Sequence, residues 1–173
     1  SRTAVRLPGR ISGMVSKQGS LRLALGIFFI ALILPTNLYL FAWRFIDLKR
    51  YDYPYYLYKE EIGALRWLDE QAASDQVILS SLTVGQYIPM FTGSHAFLAH
   101  WAQTLYFYRK DQMVSEFFSI YIDDDRRADI LAEYGVDFVF YGQQECELGA
   151  FDPSASALLT QVYATPLVSV FAV

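Results

Sequence analysis

The hydrophobic residues of this chain form two different patterns, one continuous and one interrupted. From Leu23 to Trp43 the sequence LALGIFFIALILPTNLYLFAW contains no charged residue. As a helix this run would be about 31 Å long, close to the thickness of the hydrocarbon core of a bilayer. We therefore predict a transmembrane helix over residues 21–45. The alternatives are a signal peptide, which would be shorter and followed by a small-residue cleavage site, and a buried core helix.

Beyond this run, short apolar stretches of strand length alternate with stretches of helical periodicity. Helical patterns begin at Lys59, at Gln112 and after Asp123, with a helical turn over Val84–Phe91. The predicted strands are Gln76–Ser81, His95–His100, Val136–Tyr141, Gln161–Thr165 and Leu167–Val173. Such alternation is typical of a mostly parallel sheet with helices on both faces. We predict an extracytoplasmic α/β domain over residues 59–173, with an antiparallel C-terminal edge.

Charge is distributed unevenly between these regions. Residues 1–50 carry eight basic residues and one acidic residue, whereas residues 51–173 carry six basic and seventeen acidic residues. Five of the basic residues precede the apolar run, which places residues 1–20 in the cytoplasm by the positive-inside rule, although Arg44, Lys49 and Arg50 weaken this assignment. The acidic domain disfavours a nucleic-acid partner. Cys146 is the only cysteine, so an internal disulfide is excluded.

The two predicted regions are joined by a tyrosine-rich linker, residues 46–58. Five of the eight residues from Tyr51 to Tyr58 are tyrosines. Tyrosine favours the membrane–water interface, because its ring is partly buried there while its hydroxyl stays hydrated. We predict an interfacial belt; a stacking platform for a sugar or lipid head group is the alternative.

The common catalytic motifs are absent from the sequence. It contains no phosphate loop, dinucleotide-binding glycine motif, HExxH motif or nucleophile elbow. His95 and His100 are five positions apart, so a strand would point them to opposite faces and they would not share a metal ion. His100, followed by Trp101, falls at the end of a predicted strand, where α/β sheets bind ligands. The alternative is a hydrogen-bonded structural histidine.

Two acidic segments also allow two interpretations each. Asp123, Asp124 and Asp125 could bind a hard cation, but capping of the following helix explains them without a further assumption. Tyr141 and Gly142 follow the clearest strand, with Glu145 close behind. Glu145 could contact a ligand hydroxyl, or the segment could be a solvated turn with Gly142 providing its backbone freedom. We predict no metal site and no cofactor.

Several of these segments together resemble a known family. The segments, in chain order, are the tyrosine-rich stretch, ALRWL from Ala64, VILSS from Val77, GQYIP from Gly85, Thr92-Gly93, Ala99-His100-Trp101, YGVDFVFYG from Tyr134, Glu145 and Val162-Tyr163. They are similar to the C-terminal end of bacterial membrane glycosyltransferases of the GT-C type, related to the protein mannosyltransferases. In that family the last transmembrane helix leads into a small extracytoplasmic α/β domain.

The resemblance implies sugar transfer from a lipid-phosphate donor, with catalytic carboxylates in an early loop that this sequence does not contain. It therefore implies no catalytic residue here, and at most binding of acceptor or donor. The residues that match near a possible crevice are Gly85, Tyr87, Pro89, His100, Trp101, Tyr141, Gly142 and Glu145. The expected partners are the lipid bilayer, other transmembrane helices or subunits, and a polyprenyl-phosphate sugar.

A different class of protein also fits the sequence. A single-span chain with an exported head could be a non-enzymatic accessory subunit of a larger membrane complex. Because the first residue is Ser1 rather than Met, we expect either a processed product or the C-terminal piece of a longer chain. Further membrane spans encoded upstream would favour the transferase, and a nearby start codon would favour the accessory subunit.

Overall fold

The computed structural model describes residues 10–173, with side chains from Gly19 onward. The chain forms two compact units that divide between Tyr51 and Asp52. The predicted cytoplasmic segment 1–20 lies partly outside the described residues, and its remainder belongs to the first helix.

The first unit is built on one long apolar helix, α1, which spans Arg10–Asp47. Its part from Gly19 to Asp47 has a mean hydropathy of 2.1, and it is long and apolar enough to cross a membrane. The side chains in this part are exposed. Within the helix, the Asn37 side chain donates a hydrogen bond to the Ile33 carbonyl at 3.0 Å. The carbonyl left free by Pro35 is the one four residues earlier, at Ala31, so Asn37 does not replace that bond.

The second unit is a mixed α/β domain with a five-stranded sheet. Its helices are α2 (Lys59–Gln71), α3 (Leu82–Gly85), α4 (Ile88–Thr92), α5 (Phe107–Phe117), α6 (Asp124–Tyr134) and α7 (Gln143–Leu148), with a 3₁₀ turn at Pro153–Ala155. Its strands are β1 (Val77–Leu79), β2 (His95–Ala96), β3 (Val136–Tyr141), β4 (Thr160–Ala164) and β5 (Ser169–Ala172).

The sheet confirms the predicted fold class. Its strand order is β2-β1-β3-β5-β4. Strands β2, β1 and β3 pair in parallel, whereas β5 pairs antiparallel with both β3 and β4. The antiparallel strands are therefore the C-terminal ones, as predicted, and β4 occupies the outer edge.

Helices cover both faces of the sheet because buried residues alternate along its strands. On β1, Ile78 packs into the cluster under α2, α3 and α4, and Leu79 packs into the cluster under α5 and α6. Phe140 and Val139 make the same division on β3. All four side chains are fully buried.

Strands β1, β4 and β5 differ from their predicted bounds by one or two residues at each end, and the helical turn predicted over Val84–Phe91 forms two short helices, α3 and α4. Two further elements differ more. The apolar run from His95 to His100 forms a strand over only two residues, His95 and Ala96; Phe97 still donates a hydrogen bond to the Ile78 carbonyl, and Phe97 and Leu98 are buried in the core. His100 consequently lies four residues past the end of β2 rather than at its last position. Helix α5 begins at Phe107, five residues before the predicted start, and ends at Phe117.

The tyrosine-rich segment contributes to the α/β unit from Asp52 onward. Leu57 is buried in the core, the Tyr53 hydroxyl donates to Glu61, and the Tyr58 backbone N–H donates to the same carboxylate at 2.8 Å. Tyr51 and Tyr55 are exposed, so the interfacial role of this segment stays a prediction.

Candidate functional site

The ends of strands β1 and β3 are joined by one buried carboxylate. Glu145 Oε1 accepts a hydrogen bond from the Ser81 backbone N–H at 2.7 Å, and Oε2 accepts one from Gly142 at 2.9 Å. Ser81 caps α3 and Gly142 precedes α7, so each N–H lies at the start of a helix where no intrahelical partner exists. Glu145 satisfies both and fixes the two strand ends to each other.

The environment of Glu145 is dry. Its side chain is completely buried, and this burial raises the pKa of the carboxyl, while the hydrogen bonds from Ser81 and Gly142 act in the opposite direction. Both oxygens are engaged inside the domain. Glu145 is therefore a buried residue that holds the backbone of Ser81 and Gly142 in place, and it does not reach the surface.

Tyr141 is half-buried and reaches the surface at a separate place, next to the buried Gly142. They line a cleft of about 460 Å³ together with Cys146 and Leu167, which we call the Tyr141 cleft. Burial, followed by a hydrogen bond with the Cys146 side chain, raises the pKa of Tyr141 to about 12. The phenol therefore stays protonated at neutral pH and offers a hydroxyl group.

Gly85 and Tyr87 hold segments of the chain together. A Cβ atom on Gly85 would lie 1.8 Å from the Leu98 carbonyl oxygen, so only glycine permits this approach of α3 to the chain after β2. The Tyr87 hydroxyl donates to the Pro54 carbonyl and fixes the tyrosine-rich segment at that point.

Pro89 and His100 lie together in one cleft of the α/β unit. This cleft has a volume of about 560 Å³, and we call it the Pro89–His100 cleft. Its lining consists of Gln86, Pro89, Met90, Ala99, His100 and Gln103. Two amides and an imidazole can thus form hydrogen bonds next to the apolar surface of Pro89 and Met90.

The rings of His100 and Trp101 extend this site into solvent. Their centroids are 5.7 Å apart, and Trp101 is 67% exposed. His100 Nδ1 accepts a hydrogen bond from the Ala102 N–H at 3.3 Å, so the neutral ring carries its proton on Nε2 and can donate it. An aromatic face and a hydrogen-bond donor therefore lie side by side.

A second cleft adjoins the first. Its volume is about 320 Å³, and it shares Pro89, Ala99 and Gln103 with the Pro89–His100 cleft. It also contains His95 and Lys110, so we call it the Lys110 cleft.

The eight predicted binding residues thus divide between two places. Pro89, His100 and Trp101 lie at one, and Tyr141 and Gly142 at the other; Gly85, Tyr87 and Glu145 line none of the clefts described. Gln86, Met90, Gln103 and Lys110 were not predicted. Gln86 lies within the GQYIP segment of the family resemblance, and Lys110 is half of a basic pair with Arg109, from which nothing in the pattern separates it.

The acidic segment at α6 serves the helix itself. Asp123 Oδ1 accepts a hydrogen bond from the Arg126 N–H at 3.0 Å, which caps the helix, and Asp124 forms an ion pair with Arg127 at 3.0 Å. Among the residues that the structure describes, no group of three or more His, Cys, Asp or Glu side chains is arranged to hold a metal ion.

Comparison with known proteins identifies the fold but no sequence family. No protein-family model matches the chain, and no curated protein matches its sequence. Among solved structures, the chain is similar to the C-terminal globular domain of an oligosaccharyltransferase from Archaeoglobus fulgidus, with a TM-score of 0.52 and 13% sequence identity. The match covers 98% of that domain and 68% of this chain. At this identity the likeness establishes a shared fold and assigns no activity.

Proposed function

We propose that the α/β unit is the extracytoplasmic C-terminal domain of a membrane glycosyltransferase, and that it binds acceptor or lipid-phosphate sugar rather than catalysing transfer. The observation that supports this most is the match to nearly the whole C-terminal domain of an oligosaccharyltransferase. In this chain, as the resemblance leads us to expect, an apolar helix precedes the α/β unit.

The Pro89–His100 cleft is the place proposed for the ligand. Sugars present hydroxyl groups that pair with amides and imidazoles, and apolar C–H faces that pack on aromatic rings. Gln86, Gln103 and His100 provide the first kind of contact and the exposed Trp101 provides the second. In this proposal Gly85 and Tyr87 position the cleft walls. Tyr141 and Gly142, supported by Glu145, form a second candidate contact.

The test of binding uses residues 1–173 in detergent micelles or nanodiscs, titrated with a polyprenyl-phosphate sugar and separately with acceptor peptides. We expect saturable NMR shifts of the Trp101 indole and His100 imidazole signals. Trp101→Ala should weaken binding at least tenfold, because it removes the stacking face. Tyr121→Ala is the matched control, since Tyr121 is 91% exposed and lines none of these clefts. Equal affinity of both variants would contradict the proposal.

The same preparation tests whether the chain catalyses transfer by itself. We expect no sugar transfer, because the proposal assigns no general base. Turnover that disappears in His100→Ala or Glu145→Ala would make this chain an enzyme in its own right and would overturn the proposal.

Orientation is tested by labelling intact cells. We expect a cytoplasmic N-terminus and an exported α/β unit, so in a Cys146→Ser background Ser154→Cys should react with a membrane-impermeant thiol reagent. Ser154 is exposed, which makes it a suitable position. Labelling at Ser16→Cys, but not at Ser154→Cys, would reverse the proposed topology.

A further inference from the structure

Lys110 differs from Arg109, Arg126 and Arg127 in what it contacts, and it differs from Arg66, which forms no ion pair among the described side chains, in being half-buried where Arg66 is exposed. Arg109 pairs with Glu133 at 2.8 Å, and both Arg126 and Arg127 form ion pairs with carboxylates at 3.0 Å. Within residues 19–173, where side chains are described, Lys110 forms no ion pair. It is half-buried nonetheless.

Aromatic rings support the ammonium group of Lys110. Its nitrogen lies 4.9 Å from the centroid of the Phe97 ring and 5.2 Å from that of Tyr134. Ring faces attract a cation but carry no net charge, so they leave it without a counter-ion. Burial lowers the pKa of Lys110, as expected for a cation removed from water without an anionic partner.

The Lys110 cleft contains donors that complement this cation. Thr104 Oγ1 accepts the Ala99 N–H at 3.0 Å, so its own hydroxyl hydrogen remains to be donated. The Gln103 amide and the His95 ring also line the cleft. Ala96 lies on the edge strand β2, between His95 and Phe97, whose N–H groups donate to the carbonyls of Gln76 and Ile78. Because N–H groups alternate in direction along a strand, the Ala96 N–H points to the open edge of the sheet.

We propose that the Lys110 cleft binds a phosphate group, with Lys110 as the counter-charge and Thr104, Gln103 and the Ala96 N–H as hydrogen-bond donors. A phosphate presents several acceptor oxygens and a negative charge, which matches one cation surrounded by neutral donors. A carboxylate partner within the domain would have made the cation unavailable. This site does not depend on the proposed sugar site, although the two clefts are contiguous and one ligand could occupy both.

Two sources could supply the phosphate, a lipid head group or a free phosphate. Leu105 lies at the cleft and is 72% exposed, which places an apolar side chain where a lipid tail could pack. The experiment therefore uses residues 1–173 in nanodiscs of phosphatidylcholine with added inorganic pyrophosphate, and in nanodiscs containing phosphatidic acid. The readouts are the NMR shifts of the Ala96 and Thr104 amides and of the Lys110 ammonium.

We expect saturable shifts in at least one of the two nanodisc samples. Shifts with phosphatidic acid alone would identify a lipid head group as the source, whereas shifts with both phosphatidic acid and pyrophosphate would show that the phosphate group itself is recognised. Lys110→Met keeps the apolar stem over the rings and should weaken binding at least tenfold. Lys110→Arg should retain saturable binding, since it keeps the charge and a guanidinium also binds phosphate. Lys59→Met is the matched control for loss of one exposed cation and should change nothing. Unchanged binding in Lys110→Met, or no saturable shift in either arm, would overturn the proposal.

Discussion

Polar residues follow the C-terminal ends of all three parallel strands, β1, β2 and β3. Those that follow β1 and β3 bond within the domain, whereas those that follow β2 remain accessible. Behind β1 and β3, Glu145 is fully buried and both of its oxygens accept backbone N–H groups. Behind β2, His100 and Trp101 are exposed and Lys110 has no anionic partner among the described side chains. We call the residues around Glu145 the closed region, because its polar groups bond to one another. We call the residues around His100, Trp101 and Lys110 the open region, because its donors and its cation are accessible.

This difference shows that a polar residue after a strand does not by itself mark a ligand site. The first turns of α3 and α7 need acceptors for their N–H groups, and Glu145 meets that need internally. No helix start in the open region uses the side chain of His100 or Lys110 as an acceptor. We therefore expect substitutions in the closed region to change stability, and those in the open region to change binding.

The largest effect is expected for Gly85→Ala, which tests how rigidly the closed region is attached to the rest. The new Cβ would overlap a backbone carbonyl oxygen, Leu98 O, which cannot rotate away as a side chain could. We expect a loss of at least about 4 kcal/mol of unfolding free energy, measured by urea titration in detergent with near-UV circular dichroism.

Gly63→Ala is the control for this change. Its Cβ would meet only the Tyr163 hydroxyl, at 3.1 Å, which is the far end of a side chain. A small effect at Gly85, comparable to that at Gly63, would mean that α3 can move away from Leu98 and that the closed region is not rigid.

Substitution of Glu145 should have the next largest effect. Glu145→Ala leaves two buried N–H groups without acceptors, and each costs about 1–3 kcal/mol. Glu145→Gln keeps one acceptor oxygen, so we expect roughly half the loss. Thr83→Val, which removes a partly buried hydroxyl bonded to Gln144, is a neighbouring control with a smaller expected effect. Equal stability of Glu145→Ala and the natural chain would contradict the closed-region interpretation.

The pH dependence of the same comparison follows from the raised pKa of Glu145. The folded domain holds this proton more tightly than the unfolded chain, whose carboxyl titrates near its ordinary value of 4.5. The contribution of the protonated Glu145 to the free energy of unfolding is present below pH 4.5 and is lost as the pH rises through the folded-state pKa. The stability advantage of the natural chain over Glu145→Gln should therefore decrease with rising pH; an increase would show that hydrogen bonds to the carboxylate outweigh burial.

Local signals explain which elements could be predicted from the sequence. Asp123 caps α6, and Gly135 ends it with a φ of 59°, a conformation that favours glycine. Strand β3 was predicted at its observed bounds, Val136–Tyr141, because it is apolar and directly follows that stop. Both features depend on neighbours in sequence.

The features that escaped prediction depend on distant contacts. The run from His95 to His100 has strand composition throughout, but its pairing with β1 ends with the hydrogen bond from the Phe97 N–H to the Ile78 carbonyl, and the side chains of Phe97 and Leu98 are then buried in the core. Glu145 could be assigned to a ligand from the sequence because the partner of its Oε1 atom, the Ser81 N–H, is 64 residues away. Nothing local distinguishes Arg109 from Lys110; the position of Glu133 decides which of them is paired.

The smallest effect is expected in the open region, where Trp101→Ala should change unfolding free energy by less than about 0.5 kcal/mol. The indole is 67% exposed, and it contacts only the ring of His100 among the described aromatic pairs. Trp67 provides the matched comparison, because its ring packs against both Phe138 and Tyr163. Trp67→Ala should therefore cost about 2–4 kcal/mol in the same urea titration. An aromatic face that contributes nothing to the packing of the domain is available to a ligand, so equal losses at the two tryptophans would show that Trp101 packs within the domain and would remove a main reason for placing a ligand beside His100.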